Sequence, residues 1–310
     1  MADTILFFRE PLPPHSPPGP VYRLADRRLI TECRLSGLEP FKICSGAGQA
    51  QATEPDSVVA WETGGESYTV AGWIGGETRA VRCRIAPQGR RFDIEGMGSC
   101  WIAVDGSSAV WRGSAVDRSE NLLTEAVLAA VIQALALQNV FCLHASAVAV
   151  NDAAVAFIAE SGSGKSTLAA FLDADQGNDW LRLADDALPA EMSSSTPHAL
   201  PHFPQLKLPP AAQWPLAKPG RVALKAIYCL EPIKLPSSRP DIQPLSRQAA
   251  TLALIQQTHA ARLFDARLLQ AHLDFCAQLT ARIPVQRLLY PHDYAALPRV
   301  RDVIQADLED

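Results

Sequence analysis

No apolar run in this chain is long enough to span a bilayer, so no membrane-embedded protein is expected. Paired cysteine motifs are also missing. The seven cysteines (Cys33, Cys44, Cys83, Cys100, Cys142, Cys229 and Cys276) are odd in number, form no CxxC pair and make no cluster with histidine. Most fall in apolar strand-like or helical stretches, which points to buried free thiols in a reducing compartment rather than to disulfides or zinc. Basic runs are absent too. With Lys+Arg 28 against Asp+Glu 33 and a formal net charge of −5, the chain has no general attraction for nucleic acid or for an anionic membrane surface. The first ten residues carry neither a basic lead nor a cleavage site, so a cytoplasmic location is expected. No internal repeat is visible.

What is present is a globular composition, 48% hydrophobic and 20% charged over 310 residues, enough for one large or two ordinary domains. Residues 1–116 read as short strands at 5–8, 21–24, 29–33, 58–61, 68–74, 80–85, 91–94, 100–104 and 110–112. Gly64-Gly65, Gly75-Gly76, Gly96 and Asp105-Gly106 punctuate them, and Asp26-Arg27 sits where a hairpin turn belongs. This predicts a small, mainly antiparallel β-domain, a sandwich or barrel. Trp61, Trp73, Trp101 and Trp111 lie inside these strands, where packing explains them better than ligand stacking does.

Asp117 to Glu120 resembles a capping box opening a linking helix over 119–138, which leads into a second domain, 117–310. Strands follow at 140–143, 147–150 and 153–158, the last two joined by Asn151-Asp152. A two-residue turn makes neighbours antiparallel, so a mixed sheet is expected. Beyond a helix near 165–172 come a buried strand at 180–184, a stretch over 193–220 with seven prolines, and a strand at 224–230. The proline-rich stretch reads as a long functional or mobile loop. Helices at 246–257 and 261–281, a strand at 285–289 and a final helix from about Tyr294 complete the domain.

The strand at 153–158 runs into Ala159-Glu-Ser-Gly-Ser-Gly-Lys-Ser-Thr167 and then an Ala/Leu helix, the context of a phosphate-binding loop. Gly162 and Gly164 lack a Cβ, so the backbone can turn several N–H groups to one point, where the helix dipole is also positive. Ser161, Gly162, Ser163, Gly164, Lys165, Ser166 and Thr167 are the candidate ATP-binding residues. Lys165 would bring an ammonium to the β- and γ-phosphates, and the Ser166 hydroxyl would ligate Mg²⁺. The pattern asks for glycine where Ala159 stands, a position that would be strained if left-handed. A plain Gly/Ser turn is the alternative reading.

Asp185-Asp186 end a strand expected to lie beside the loop strand, which puts two acids where ligands bind in such sheets. One could hold Mg²⁺ and the other accept a proton from an attacking hydroxyl; a solvated Asp-Asp turn is the alternative. His144, in Leu143-His-Ala-Ser146, is either a core histidine or a site residue.

The run Leu143-His-Ala-Ser-Ala-Val148, then 157–168, then Leu183-Ala-Asp-Asp186 resembles the catalytic domain of the bacterial HPr kinase/phosphorylase family. It is more similar to that family's shorter-motif relatives, which include the kinases of lasso-peptide gene clusters. The resemblance implies an α/β P-loop domain of the type shared with phosphoenolpyruvate carboxykinase, with antiparallel strands ahead of the loop. It implies His144, Lys165 and Asp186 as catalytic residues, Asp186 as the proton acceptor and Ser166 as the loop hydroxyl, with ATP and Mg²⁺ as cofactors; beside these, Asp185 is the acid expected to join Ser166 at the metal.

The family's downstream glycine-rich signature, with its Glu, is not found. The nearest stretch is Phe203-Pro-Gln-Leu-Lys-Leu-Pro209, so neither dephosphorylation nor HPr as substrate is carried over. Lys207 there is either a contact to phosphate or to a substrate carboxylate, or an exposed loop lysine. The leading expectation is a serine kinase acting on a peptide or small protein, such as a lasso-peptide (RiPP) precursor. An HPr(Ser) kinase-type regulator, a small-molecule kinase and an ATP-binding regulator without phosphotransfer remain open, as does a homo-oligomer.

Overall fold

Short strands and tight turns build the first part of the chain, and a strand–loop–helix alternation builds the second. The computed structural model describes residues 4–8, 19–31, 34–43, 66–74, 76–112, 120–174, 179–233 and 239–309. The expected strand at 58–61 with Trp61, the cap at Asp117, and Cys33 and Cys44 lie outside the described residues. The chain divides into two compact units, residues 1–138 with 260–269, and residues 139–259 with 270–310.

The first unit holds β1 (Thr4–Phe8), β2 (Val21–Leu24), β3 (Arg27–Thr31), β4 (Glu66–Ile74), β5 (Glu77–Ala86), β6 (Gly89–Ile94), β7 (Gly98–Ala103), β8 (Ser108–Arg112) and helix α1 (Glu120–Leu137). Its strands form one sheet in the order β2-β3-β1-β8-β7-β6-β5-β4, antiparallel except where β1 runs parallel to β3 and β8. Among the described residues this is one continuous path, not two facing sheets.

The first hairpin turns one residue earlier than its sequence suggests. Leu24 pairs with Arg27, and Ala25 and Asp26 take the two left-handed positions at φ 48° and 58°. Trp101 and Trp111 are buried, as packing residues should be. Helix α1 is apolar on nearly all sides, with Val127, Val131, Ala134 and Leu135 buried, the pattern of a core helix. Arg27 Nε donates to the buried Gln138 Oε1 at 3.0 Å.

The second unit contains β9 (Val140–Leu143), β10 (Ala145–Val150), β11 (Ala153–Ile158), α2 (Lys165–Ala174), β12 (Leu181–Asp185), β13 (Leu188–Ser193), β14 (Thr196–Ala199), β15 (Val222–Ile233), β16 (Asp241–Pro244), α3 (Arg247–Gln256), α4 (Ala266–Arg282, which begins in the first unit), β17 (Val285–Pro291) and α5 (Leu297–Glu309). The sheet order is β12-β10-β11-β15-β14-β13-β9, with β17 on β15 and β16 on β17.

The sheet is mixed, as expected. Asn151 and Asp152, at φ 49° and 61°, close a tight turn, so β10 and β11 are antiparallel neighbours, while β11 and β15 are parallel. That turn also overturns one expectation. β10 occupies one edge of β11 and β15 the other, so β12 pairs with β10 and does not lie beside the loop strand.

Val148, Val155, Phe157, Leu168, Leu172, Tyr228, Leu288, Val300 and Ile304 form the core between this sheet and helices α2 and α5. Each fully buried aliphatic or aromatic chain there contributes about 1.5–3 kcal/mol. Tyr228 Oη and Gln286 Nε2 both donate to Asp307 Oδ2 at 2.6 Å, tying α5 to the sheet.

The 193–220 stretch is not one long loop. Ser194 and Ser195 turn with positive φ between β13 and β14, and the irregular part after Ala199 buries Leu200, His202, Phe203, Gln205 and Trp214. Cys83, Cys100, Cys142, Cys229 and Cys276 are free. No helix among the described residues is long and apolar enough to cross a membrane.

Candidate functional site

Strand β11 ends at Ile158, and the chain then turns through residues 160–164 into α2. Gly162 and Gly164 adopt φ of +84° and +85°, conformations that side chains strain to reach. Gly164 is constrained twice, because a Cβ there would stand 2.6 Å from Tyr290 Oη. That hydroxyl donates to the Ser163 carbonyl. Ala159 is not among the left-handed residues, so its side chain costs the loop nothing.

Lys165 folds back over the loop, its Nζ donating to the carbonyls of Ala159 at 2.6 Å and Glu160 at 3.3 Å. It is buried, and burial lowers its proton affinity. Asp186 counteracts this most, the charge of Lys207 adds to it, and Glu160 and Asp185 also counteract it. Ser161, Gly162, Ser166 and Thr167 are exposed on the loop and the first turn of α2.

The acids reach the same end of the sheet by topology. β12 is antiparallel to β10 and β10 to β11, so β11 and β12 run the same way and end at one edge. Ser146 stands opposite Asp185, and its Oγ donates to Asp185 Oδ1 at 2.8 Å with both residues buried. Asp185 is therefore not a solvated turn residue.

Asp186 has φ +112°, costly for a residue with a Cβ, and its N–H donates to the Ala145 carbonyl at 3.0 Å. Gln205 holds this turn with every polar atom of its side chain. Its Oε1 accepts from the N–H groups of Asp185 (2.8 Å) and Ala187 (3.3 Å), and its Nε2 donates to the carbonyls of Ala187 (2.8 Å) and Phe203 (2.9 Å). Gln213 in turn clamps the Gln205 backbone from both sides, at 3.0 and 2.8 Å.

Two histidines meet at Asp186. The segment after α3 runs against the end of β9: His144 N–H donates to the Gln257 carbonyl at 2.7 Å and His259 N–H to the Cys142 carbonyl at 2.8 Å. This brings the two imidazoles to 5.1 Å between centroids. His259 Nε2 lies 2.8 Å from the Asp186 carbonyl, which only accepts, so that nitrogen carries the proton. Burial pushes the His259 pKa down.

The Asp186 carboxylate takes Lys207 Nζ at 2.6 Å and His144 Nε2 at 3.4 Å on the same oxygen. Burial opposes its ionisation, but the hydrogen bonds from His144 and Lys207 and the Lys207 charge outweigh burial and hold the carboxyl well below the usual carboxylate range. Lys207 is an exposed loop lysine, as one reading of the sequence had it, and its ammonium reaches the Asp186 carboxylate.

His144, Asp186 and Lys207 form one hydrogen-bonded group that Lys165 senses electrostatically. Among the described residues no set of three or more His, Cys, Asp or Glu forms a metal cage. The oxygen donors Ser166 and Asp185 fit Mg²⁺, which takes one or two protein oxygens and completes its shell with phosphate and water. Sequence reasoning missed Gln205, His259 and Tyr290. Gln205 lies inside the Phe203–Pro209 stretch, where the sequence singles out Lys207 and no pattern marks the glutamine, and no local pattern marks His259 or Tyr290.

No family model and no curated protein matches this chain. Among solved structures it is similar to the Hpr(Ser) kinase/phosphatase from Coxiella burnetii, at 14% identity and a TM-score of 0.31, over 54% of this chain and 97% of that one. A similarity of that degree says nothing of activity.

Proposed function

We propose that this chain is an ATP- and Mg²⁺-dependent kinase that transfers the γ-phosphoryl group to a serine hydroxyl of a peptide or small protein, a lasso-peptide (RiPP) precursor being one such acceptor. One observation carries the reading: a carboxylate bonded by His144 and Lys207 stands at the sheet edge where a glycine-rich loop enters a helix. The motif resemblance, carried by residues 140–232, supports an HPr kinase-like catalytic domain in the second part of the chain.

In this reading the loop amides and Lys165 bind the β- and γ-phosphates, and Lys165 leaves the loop carbonyls to do so. Ser166 and Asp185 hold Mg²⁺, which when bound neutralises phosphate charge. Asp186 orients the serine hydroxyl and accepts its proton as the serine oxygen bonds to the γ-phosphorus and the β–γ bridging bond breaks, leaving ADP. Lys207 lowers the basicity of Asp186 while it sits on Oδ1, and its move to the incoming phosphate frees the base. His144 keeps Asp186 aimed.

Incubation with γ-labelled ATP, Mg²⁺ and a serine-containing precursor peptide tests this. Label on the peptide serine supports the proposal. Label only on a metabolite, or bound ATP with no transfer to any acceptor, overturns it.

A further inference from the structure

The glycine-rich loop and the first turn of α2 also border a cleft to which the steps above assign no group. Gly164 and Thr167 form one wall, and Tyr290, His292, Asp293 and Tyr294 supply others, around a volume of about 120 Å³. At about 30 Å³ per water this is the space of some four waters, below the roughly 300 Å³ at which whole-ligand pockets begin. That is room for one flat ring system rather than for a whole ligand.

Its walls suit such a ring. Tyr294 is 67% exposed yet braced, its ring meeting Phe171 edge-on at 5.9 Å and 90°. Tyr290 is anchored through its hydroxyl to Ser163 and meets His292 edge-on at 6.4 Å. Asp293 Oδ1 accepts from Ala295 N at 3.1 Å, leaving the rest of the carboxylate to accept from a hydroxyl or an amine. An acid in the wall also repels phosphate, so the cleft takes an uncharged part of a ligand.

We propose that this cleft holds the nucleoside of the phosphoryl donor, its base stacked on Tyr294 and its hydroxyls or amine facing Asp293. The proposal rests on the nucleotide reading of the glycine-rich loop. Gly164 and Thr167 flank Lys165 and Ser166, so a nucleotide with its terminal phosphates at Lys165 has its nucleoside within reach of the cleft.

Calorimetry on the full chain separates the two ideas. The probes are the Mg²⁺ complexes of inorganic tripolyphosphate and of ATP, GTP, CTP and UTP, the tightest of the four nucleotides being followed. Tyr294→Ala should weaken that nucleotide about tenfold, leave tripolyphosphate unchanged, and be rescued by Tyr294→Phe. Lys165→Ala should weaken both ligands. If Tyr294→Ala alters nucleotide binding less than twofold, or weakens both ligands equally, while Lys165→Ala still acts, the nucleoside cleft is overturned and the phosphate loop stands. If neither ligand binds the wild-type chain, or Lys165→Ala changes neither, the nucleotide reading falls and the cleft with it.

Discussion

The glycine-rich loop and the turn at 185–187 close two strands that run in the same direction to one edge of the same sheet, and they reach their shapes by opposite routes. The loop is shaped mainly from within: two glycines at φ +84° and +85°, a lysine bonded to loop carbonyls, and a helix beginning at once. The acid turn contains no glycine. Its Asp186 sits at φ +112° because Gln205, His259 and the Ala145 carbonyl hold its backbone from other segments. A left-handed position can thus be bought with glycine or imposed by distant side chains, and only the first route leaves a local motif.

Asp186→Asn breaks the comparison most. It preserves the shape of the turn and removes the base, so phosphotransfer should fall on the order of 10²–10⁴-fold while ATP still binds, measured by labelled-phosphate transfer beside calorimetry. Equal loss of binding and transfer would place Asp186 in nucleotide binding instead.

Gln205→Leu attacks the turn from outside. Four backbone groups lose their partner, so denaturant unfolding should show a loss of roughly 3 kcal/mol after partial rescue by water. Unchanged stability would mean that the turn holds itself.

Acid should distinguish the two regions next. The His259 pKa is lowered from 6.5 by burial, with His144, Asp186 and Lys207 around it. A folded pKa below the unfolded value means that the unfolded chain takes up the proton first, so stability is full above pH 6.5 and declines as pH falls below it. His272, buried against Thr258 and pushed down to about 4, adds to the same decline. Asp186 contributes separately: its stabilisation is present above pH 3.8 and is lost below. His259→Gln should flatten the first decline in thermal melts across pH 7 to 5, leaving the share of His272.

Ala159→Gly sharpens the comparison with the smallest effect. It restores the glycine of the loop pattern at a position that is not left-handed, so it should gain no ATP affinity and cost about 0.5–1 kcal/mol of stability. A clear gain in affinity would mean that the bound loop rearranges at Ala159.

Much of the second unit was legible residue by residue. Asn151-Asp152 foretold the antiparallel pair, and Ser246 caps α3 by accepting from Ala249 N–H at the start of the expected helix. The glycine-rich loop could be placed because its conformational demands are met within a few residues. The neighbour of β12 could not be read, since a strand's partner depends on which edges other strands have already taken. The proline-rich stretch was legible only in part, being irregular over 200–221 but a hairpin before it. Prolines signalled a loop, but its ordering comes from Gln205, Phe203 and Trp214 being buried against residues that only the fold brings near.

By itself, the sequence determined the strand–glycine loop–helix, the tight turn before it and the residue types His144, Lys165, Asp185 and Asp186. These are short-range matters of φ, hydrogen-bond donors and periodicity. Only the tertiary structure decided that Lys207 and His144 share one oxygen of Asp186, that His259 holds its carbonyl, and that Gln205 clamps its turn. Those contacts join residues up to 73 positions apart, and no local pattern encodes a partner at that separation.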